Sequence, residues 1–316
     1  MDREILYIVV PCYNEQEVLP ETCKRLKIKL SGLIEKGTIS ENSRVLFVDD
    51  GSSDSTWDLI SRFHEEDRII SGLKLSRNRG HQNALLAGLM TARDNADIAV
   101  SLDADLQDDV EAIDEFIEKH HEGCDVVYGV RGSRAKDTFF KRRSAEFFYR
   151  FMRWMGAEII YNHADYRLMS KRALDALSKF KETNLFLRGI VPLIGFKSGF
   201  VSYERHERFA GKSKYPLGKM LSFAAEGIFS FSIKPIKLIA SLGAIVFTIS
   251  IIMLIYALVS YAVGVTVQGW TSILFSVWAI GGLQLLSIGV IGEYIGKIYL
   301  ETKSRPKYII EKFLND

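Results

Sequence analysis

A mostly parallel α/β sheet with helices on both faces, followed by two membrane-length helices, is the fold this chain predicts. Three observations predict it. Residues 1–130 alternate short β-branched runs with amphipathic stretches, each run ends in polar residues, and two uncharged stretches, Leu238 to Val263 and Val265 to Gly292, lie toward the C-terminus. Strand–helix alternation of this kind argues for a parallel sheet. The predicted strands are Leu6–Val10, Val45–Val48, Gly72–Leu75, Ile98–Leu102 and Val126–Gly129. In such sheets ligands bind beyond the carboxyl ends of the strands. Five polar segments meet there: Pro11 to Glu15, Asp49 to Ser52, Ser76 to Asn78, Asp103 to Gln107, and Arg131 to Arg134.

Asp103-Ala104-Asp105-Leu106-Gln107 is the most informative of these segments. Alternate side chains of an extended chain share a face, so residues 103, 105 and 107 converge at the strand end. Two carboxylates and an amide oxygen suit Mg²⁺ or Mn²⁺, which share their shell with water and substrate phosphates. Aspartates that cap the helix after Asp108-Asp109 would also account for part of the pattern. Likewise, Ser53 or Asp54 as an N-cap accounts for part of Asp49-Asp50-Gly51-Ser52-Ser53-Asp54.

With 316 residues and a net charge of +2, the chain has room for one large or two modest domains and no general pull toward nucleic acid. Each uncharged stretch exceeds the roughly 20 apolar residues that cross a bilayer. Lys234 and Lys237 precede the first, Lys297, Lys303, Arg305 and Lys307 follow the second, and Gly264 to Trp270 between them holds no Lys or Arg. That asymmetry predicts an inner-membrane, multi-pass protein with both ends cytoplasmic. The charged start, Asp2-Arg3-Glu4, predicts no leader peptide. Lys141 to Gly156 mixes basic and aromatic residues as an interfacial helix, or a solvated helix packing its aromatics on the sheet, would, and Leu217 to Ile233 is a second interfacial candidate. Gly292 and Gly296 are spaced for helix contact and leave room for a homo-oligomer. Cys12, Cys23 and Cys124 have no ligand spacing and read as buried thiols. The expected organisation is a catalytic domain over 1–215, a juxtamembrane helix over 216–236, a two-span hairpin over 237–296 and a tail over 297–316.

Through Val10 to Glu15, Val48 to Asp54, Asn78-Arg79-Gly80 and Asp103 to Gln107, the chain resembles family 2 glycosyltransferases of the GT-A (Rossmann-like) fold. Within them it is most similar to the polyprenyl-phosphate glycosyltransferases, such as bactoprenol glucosyltransferases and dolichyl-phosphate mannose synthase. That likeness extends through Asp165 to Met169, Arg208 to Tyr215, the apolar runs and Gly292 to Lys297. The resemblance implies that Pro11, Tyr13, Glu15, Asp49 and Asp50 contact the nucleoside of a UDP-sugar. It further implies that Asp105 and Gln107 hold the metal, that Asp103 contacts the donor or the metal, and that Arg131, Arg208 and Lys214 handle phosphates, with Asp103 and Arg131 counted beside Asp165 among the catalytic residues. Asp165 takes the position usually called catalytic, and its work is either to orient the acceptor or to stabilise charge at the anomeric carbon. An ion pair with Arg167 is its structural alternative. His81 and His163 stay outside the metal set. The Gln-x-x-Arg-Trp motif of the processive synthases is absent around Arg153-Trp154. The expected reaction is inverting transfer of one hexose, glucose or N-acetylglucosamine, to undecaprenyl phosphate. Rival readings are GDP-mannose or UDP-4-amino-4-deoxyarabinose as donor, and a non-catalytic nucleotide-sugar-binding scaffold.

Overall fold

The computed structural model describes residues 3–131, 163–182, 186–204, 234–263 and 269–315. Two compact units are present, one built mainly from residues 1–146, 159–215 and 305–316 and the other from residues 147–158 and 216–304. The first unit is a mixed sheet of eight strands: β1 (Leu6–Cys12), β2 (Arg44–Asp49), β3 (Ile70–Leu75), β4 (Ile98–Ser101), β5 (Val126–Arg131), β6 (His163–Ser170), β7 (Ser198–Tyr203) and β8 (Ile310–Leu314). Their spatial order is β7-β5-β6-β4-β1-β2-β3-β8.

β4, β1, β2 and β3 run parallel, as expected. Six of the eight strands share one direction, and the flanks make the sheet mixed: β6 lies antiparallel between β4 and β5, and β8 pairs antiparallel with β3. Short apolar runs do not encode strand direction, and β6 was obscured because it carries Asp165 and Arg167 in its middle. The predicted tail also divides. The second long helix continues to Lys303, and the residues beyond it return to the sheet as β8.

Helices α1 (Leu19–Glu35), α2 (Thr56–Glu66), α3 (His81–Asn95) and α4 (Ala112–His121) follow β1 to β4 in turn; α5 (Lys171–Leu177) and α6 (Leu187–Leu193) follow β6. Every residue of β1 is buried, which needs cover on both faces. On one face, Leu6, Ile8 and Val10 join Leu26 and Leu30 of α1 and Ile113 and Phe116 of α4 in a single core. On the other lies α3, whose Gly88 sits so close that a Cβ would overlap Val9 and come within 2.7 Å of Val48 Cγ2. The three cysteines are free and buried, and burial raises the Cys23 thiol to about 11.

The second unit includes α7 (Lys234–Ala262) and α8 (Trp270–Lys303), which touch each other. Within α8, Ile280–Lys303 is long and apolar enough to cross a membrane, with a mean hydropathy of 1.2. Residues 264–268, the expected interfacial helix over 141–156 and the expected juxtamembrane helix up to residue 233 lie outside the described residues.

Candidate active site

The ends of β4, β1 and β2 stand side by side, and their loops are tied to one another. Asn14, in the left-handed region at φ 53°, donates its N–H to Ser52 Oγ at 3.0 Å and accepts from Ser53 N at 2.9 Å. Glu15 N donates to Thr56 Oγ1 at 3.0 Å, and Gln16 N donates to Asp54 Oδ2 at 3.3 Å. Pro11 is buried within β1, whereas Tyr13 projects 42% exposed from the strand end. Asp54 therefore serves as a link between loops as well as accepting from Thr56 N at 3.0 Å.

Asp49 and Asp50 are both buried but differ in their partners. Asp50 accepts from Arg79 N at 2.7 Å and Gly80 N at 2.8 Å, so it fixes the turn that starts α3. Gly80, at φ 86°, permits that turn, and Gly51, at φ 65°, packs where a Cβ would fall 2.6 Å from the backbone of Arg77 and Asn78. Asp49 Oδ1 accepts from Ser52 N at 3.2 Å, while Oδ2 has no protein partner among the described residues. Burial raises both carboxyls, opposed by Ser52 at Asp49 and by the two backbone N–H groups at Asp50.

After β4 the chain bends sharply through Leu106, a buried residue at φ 57°. A left-handed leucine costs roughly 1–2 kcal/mol, offset here by fixed neighbours. Thr22 Oγ1 donates to Ala104 O at 2.8 Å, Tyr166 OH to Asp109 O at 2.8 Å, and Tyr203 OH to Asp108 Oδ1 at 2.5 Å. Asp105 Oδ1 accepts from Gln107 N at 3.2 Å. The following helix has Glu111 at its N-cap with no side-chain cap bond, so Asp103 and Asp105 are not its caps.

Asp165 reaches the same place from β6. Ser101 of β4 is in register with Arg167, and two further steps along this antiparallel ladder put Asp165 across from Asp103. The Ser101 hydroxyl also donates to the Asp165 carbonyl. His81 Nε2, at the start of α3, lies 3.6 Å from both Asp103 Oδ1 and Asp165 Oδ2. Asp165 Oδ1 accepts from Arg167 Nη2 at 2.6 Å and Arg188 Nε at 3.2 Å; its Oδ2 accepts from Arg188 Nη2 at 3.0 Å and Gln82 Nε2 at 3.3 Å. Burial alone would raise this carboxyl, but Arg188, His81 and Arg167 hold it well below the ordinary range. At Asp103 the balance is reversed. Burial, together with Asp165 and Asp105, raises its carboxyl against the opposing pull of His81 and Arg188.

The structure thus brings Asp103 and Asp165 to one imidazole, with Asp105 close enough to act on Asp103. Arg131 ends β5 at the same edge of the sheet; its side chain, with Arg208 and Lys214, lies outside the described residues. Of the residues around Asp165, sequence reasoning places His81 only outside the metal set and misses Gln82 and Arg188. The signal for the first two was adjacency: they follow Asn78-Arg79-Gly80 directly. Arg188 had none, since only folding brings it to Asp165.

For a hard divalent ion, Asp103, Asp105 and Gln107 form an all-oxygen donor set, which fits Mg²⁺ or Mn²⁺. Among the described residues, no group of three or more His, Cys, Asp or Glu side chains is placed to hold a metal ion.

The model for glycosyl transferase family 2 matches residues 7–178, spanning the strand-end segments and Asp165. The chain belongs to glycosyltransferase family 2. This family 2 glycosyltransferase is 55% identical over 309 residues to an uncharacterized glycosyltransferase, YkoT, of Bacillus subtilis (strain 168), covering 98% of this chain and 92% of that one. It is 38% identical over 308 residues to the SfII prophage-derived bactoprenol glucosyl transferase of Shigella flexneri, covering 96% and 97% of the two chains. Among solved structures, it is similar to a Pyrobaculum calidifontis mannosyltransferase in complex with GDP-Man and Mn²⁺. That match has 18% identity, a TM-score of 0.49 and coverage of 94% and 85%.

Proposed function

We propose that this glycosyltransferase moves one hexose, with inversion, from a UDP-sugar to undecaprenyl phosphate on the cytoplasmic leaflet of the cell membrane. The observation that carries the reading is the near full-length likeness to a bactoprenol glucosyl transferase, apolar helices included. The polar strand ends, and an α8 segment long and apolar enough to cross a membrane, support it. Two spans, α7 and α8, would hold the chain in the bilayer with both ends cytoplasmic, given their basic flanks.

In this reading, Tyr13 stacks on the nucleobase, and Pro11, Glu15, Asp49 and Asp50 shape the nucleoside pocket, Asp50 through the turn it fixes. Asp103, Asp105 and Gln107 would hold Mg²⁺ or Mn²⁺, which when bound offsets the charge of the departing diphosphate. Arg131, Arg208 and Lys214 add positive charge toward phosphates. An acceptor phosphate oxygen attacks the anomeric carbon, and the bond to the nucleoside diphosphate breaks with its electron pair leaving on that diphosphate. A phosphate monoester has a second pKa of about 6, so the nucleophile is already anionic near neutrality and needs little help from a base. Release of nucleoside diphosphate tests the reading. Undecaprenyl phosphate should stimulate release from UDP-glucose or UDP-N-acetylglucosamine above release from GDP-mannose or UDP-4-amino-4-deoxyarabinose. Absence of stimulation with every donor would favour a non-catalytic scaffold.

A further inference from the structure

Asp165 occupies the position from which a base would act, yet its lone pairs are already taken. A carboxylate offers about four acceptor positions, and four donors point at this one: Arg167 Nη2, both Arg188 Nε and Nη2, and Gln82 Nε2. To accept a substrate proton it would have to shed a guanidinium. The two arginines are not equivalent. Arg167 is 1% exposed and also donates to the Leu187 carbonyl at 3.3 Å, so it neutralises the buried carboxylate. Arg188 is 39% exposed, and its two-point contact with Asp165 fixes the guanidinium plane at the solvent edge. Gln82 braces the arrangement, accepting from Leu187 N at 3.1 Å while donating to Asp165.

Strand order gives this cation its place. The nucleoside segments end β1 and β2, Asp103 ends β4, and Asp165 stands on β6, one strand further away. The Arg188 guanidinium, held by Asp165, is therefore on the side of Asp103 away from the nucleoside segments. A cation oriented before the substrate arrives holds an anionic nucleophile without reorganisation.

We propose that Arg188 receives the phosphate of the acceptor and that Asp165 is its positioning partner; this rests on the phosphate-acceptor reading above. The test is steady-state kinetics on the full-length protein, with undecaprenyl phosphate and the UDP-sugar varied in turn. Loss of a charged hydrogen-bond donor predicts that Arg188→Ala raises the acceptor KM about 10- to 100-fold. The donor KM should stay within about twofold, and Arg188→Lys should recover part of the loss through charge alone. Asp165→Asn should raise the acceptor KM in the same direction and keep the wild-type slope of rate against pH. Thermal melting identifies any variant that fails to fold, and Arg188→Gln then replaces the alanine. An unchanged acceptor KM in folded variants, or donor and acceptor KM rising together, overturns the proposal. A wild-type protein that glycosylates no lipid phosphate removes the acceptor reading itself and this proposal with it, an outcome the wild-type control distinguishes from failure of Arg188 alone.

Discussion

At the scale of single residues, the site is a contest between burial and pairing. Asp165 tolerates burial because two guanidinium groups and an amide meet its oxygens, whereas Asp103 has an imidazole at 3.6 Å and the weaker pull of Arg188 set against burial and two like charges. A carboxylate so placed is short of positive charge, and a divalent ion shared with Asp105 would supply it. Asp105→Asn should therefore cut turnover by about two orders of magnitude or more while the melting temperature barely moves. Excess chelator should abolish wild-type activity, and full activity of the variant in chelator would remove the metal. The Asp103 to Gln107 segment and its place after a strand were legible in the sequence, because the residues are close neighbours behind an apolar run. The Asp165 assembly was not. Its donors come from positions 82, 167 and 188, and only β6 and the starts of α3 and α6 bring them together.

At the scale of elements, the strands that escaped sequence reading are those that break the apolar pattern. β6 carries a buried ion pair, β7 is half exposed, and β8 is an exposed edge. β8 holds on through pairing with β3 and through Asn315, whose Oδ1 accepts from Tyr7 OH at 3.0 Å and Ser71 Oγ at 2.9 Å. Asn315→Ala strands two partly buried hydroxyls and should cost about 1–3 kcal/mol, read as a lower melting temperature of the full chain. No change would mean that β8 is held by its backbone alone. At the opposite end of the strands from the site, Glu4 ties β1 to the end of α4 by bonding His120 and His121, each at 3.2 Å. The hydrogen bond to His120 lowers Glu4 from 4.5, and its reciprocal raises His120 from 6.5. The Glu4 contribution is present above 4.5 and fades as pH falls through its lowered value. The His120 contribution is complete below 6.5 and fades as pH rises through its raised value. Both groups are partly solvated, so the gain is at most about 1 kcal/mol. Wild type should exceed Glu4→Gln in melting temperature most clearly near about pH 5.5, and a pH-independent difference would contradict the linkage.

At the scale of the whole molecule, one chain combines a mixed eight-stranded sheet with two long helices, of which Ile280–Lys303 is long and apolar enough to cross a membrane. The sheet unit includes residues at both extremes of the chain, since β8 follows α8 and pairs beside β3. If α7 and α8 both span, cysteines placed at Gln268 and Arg305 should label from opposite sides of sealed vesicles. Equal labelling from the cytoplasmic side would leave the helices on one leaflet. Transfer of a single sugar to a lipid monophosphate is read from the mass of the lipid product. Purified full-length protein, given Mg²⁺ or Mn²⁺, undecaprenyl phosphate and each UDP-hexose in turn, should yield a lipid heavier by one hexose and still bearing one phosphate. A ladder of added sugars, a second phosphate in the product, or unmodified lipid with every donor would contradict it.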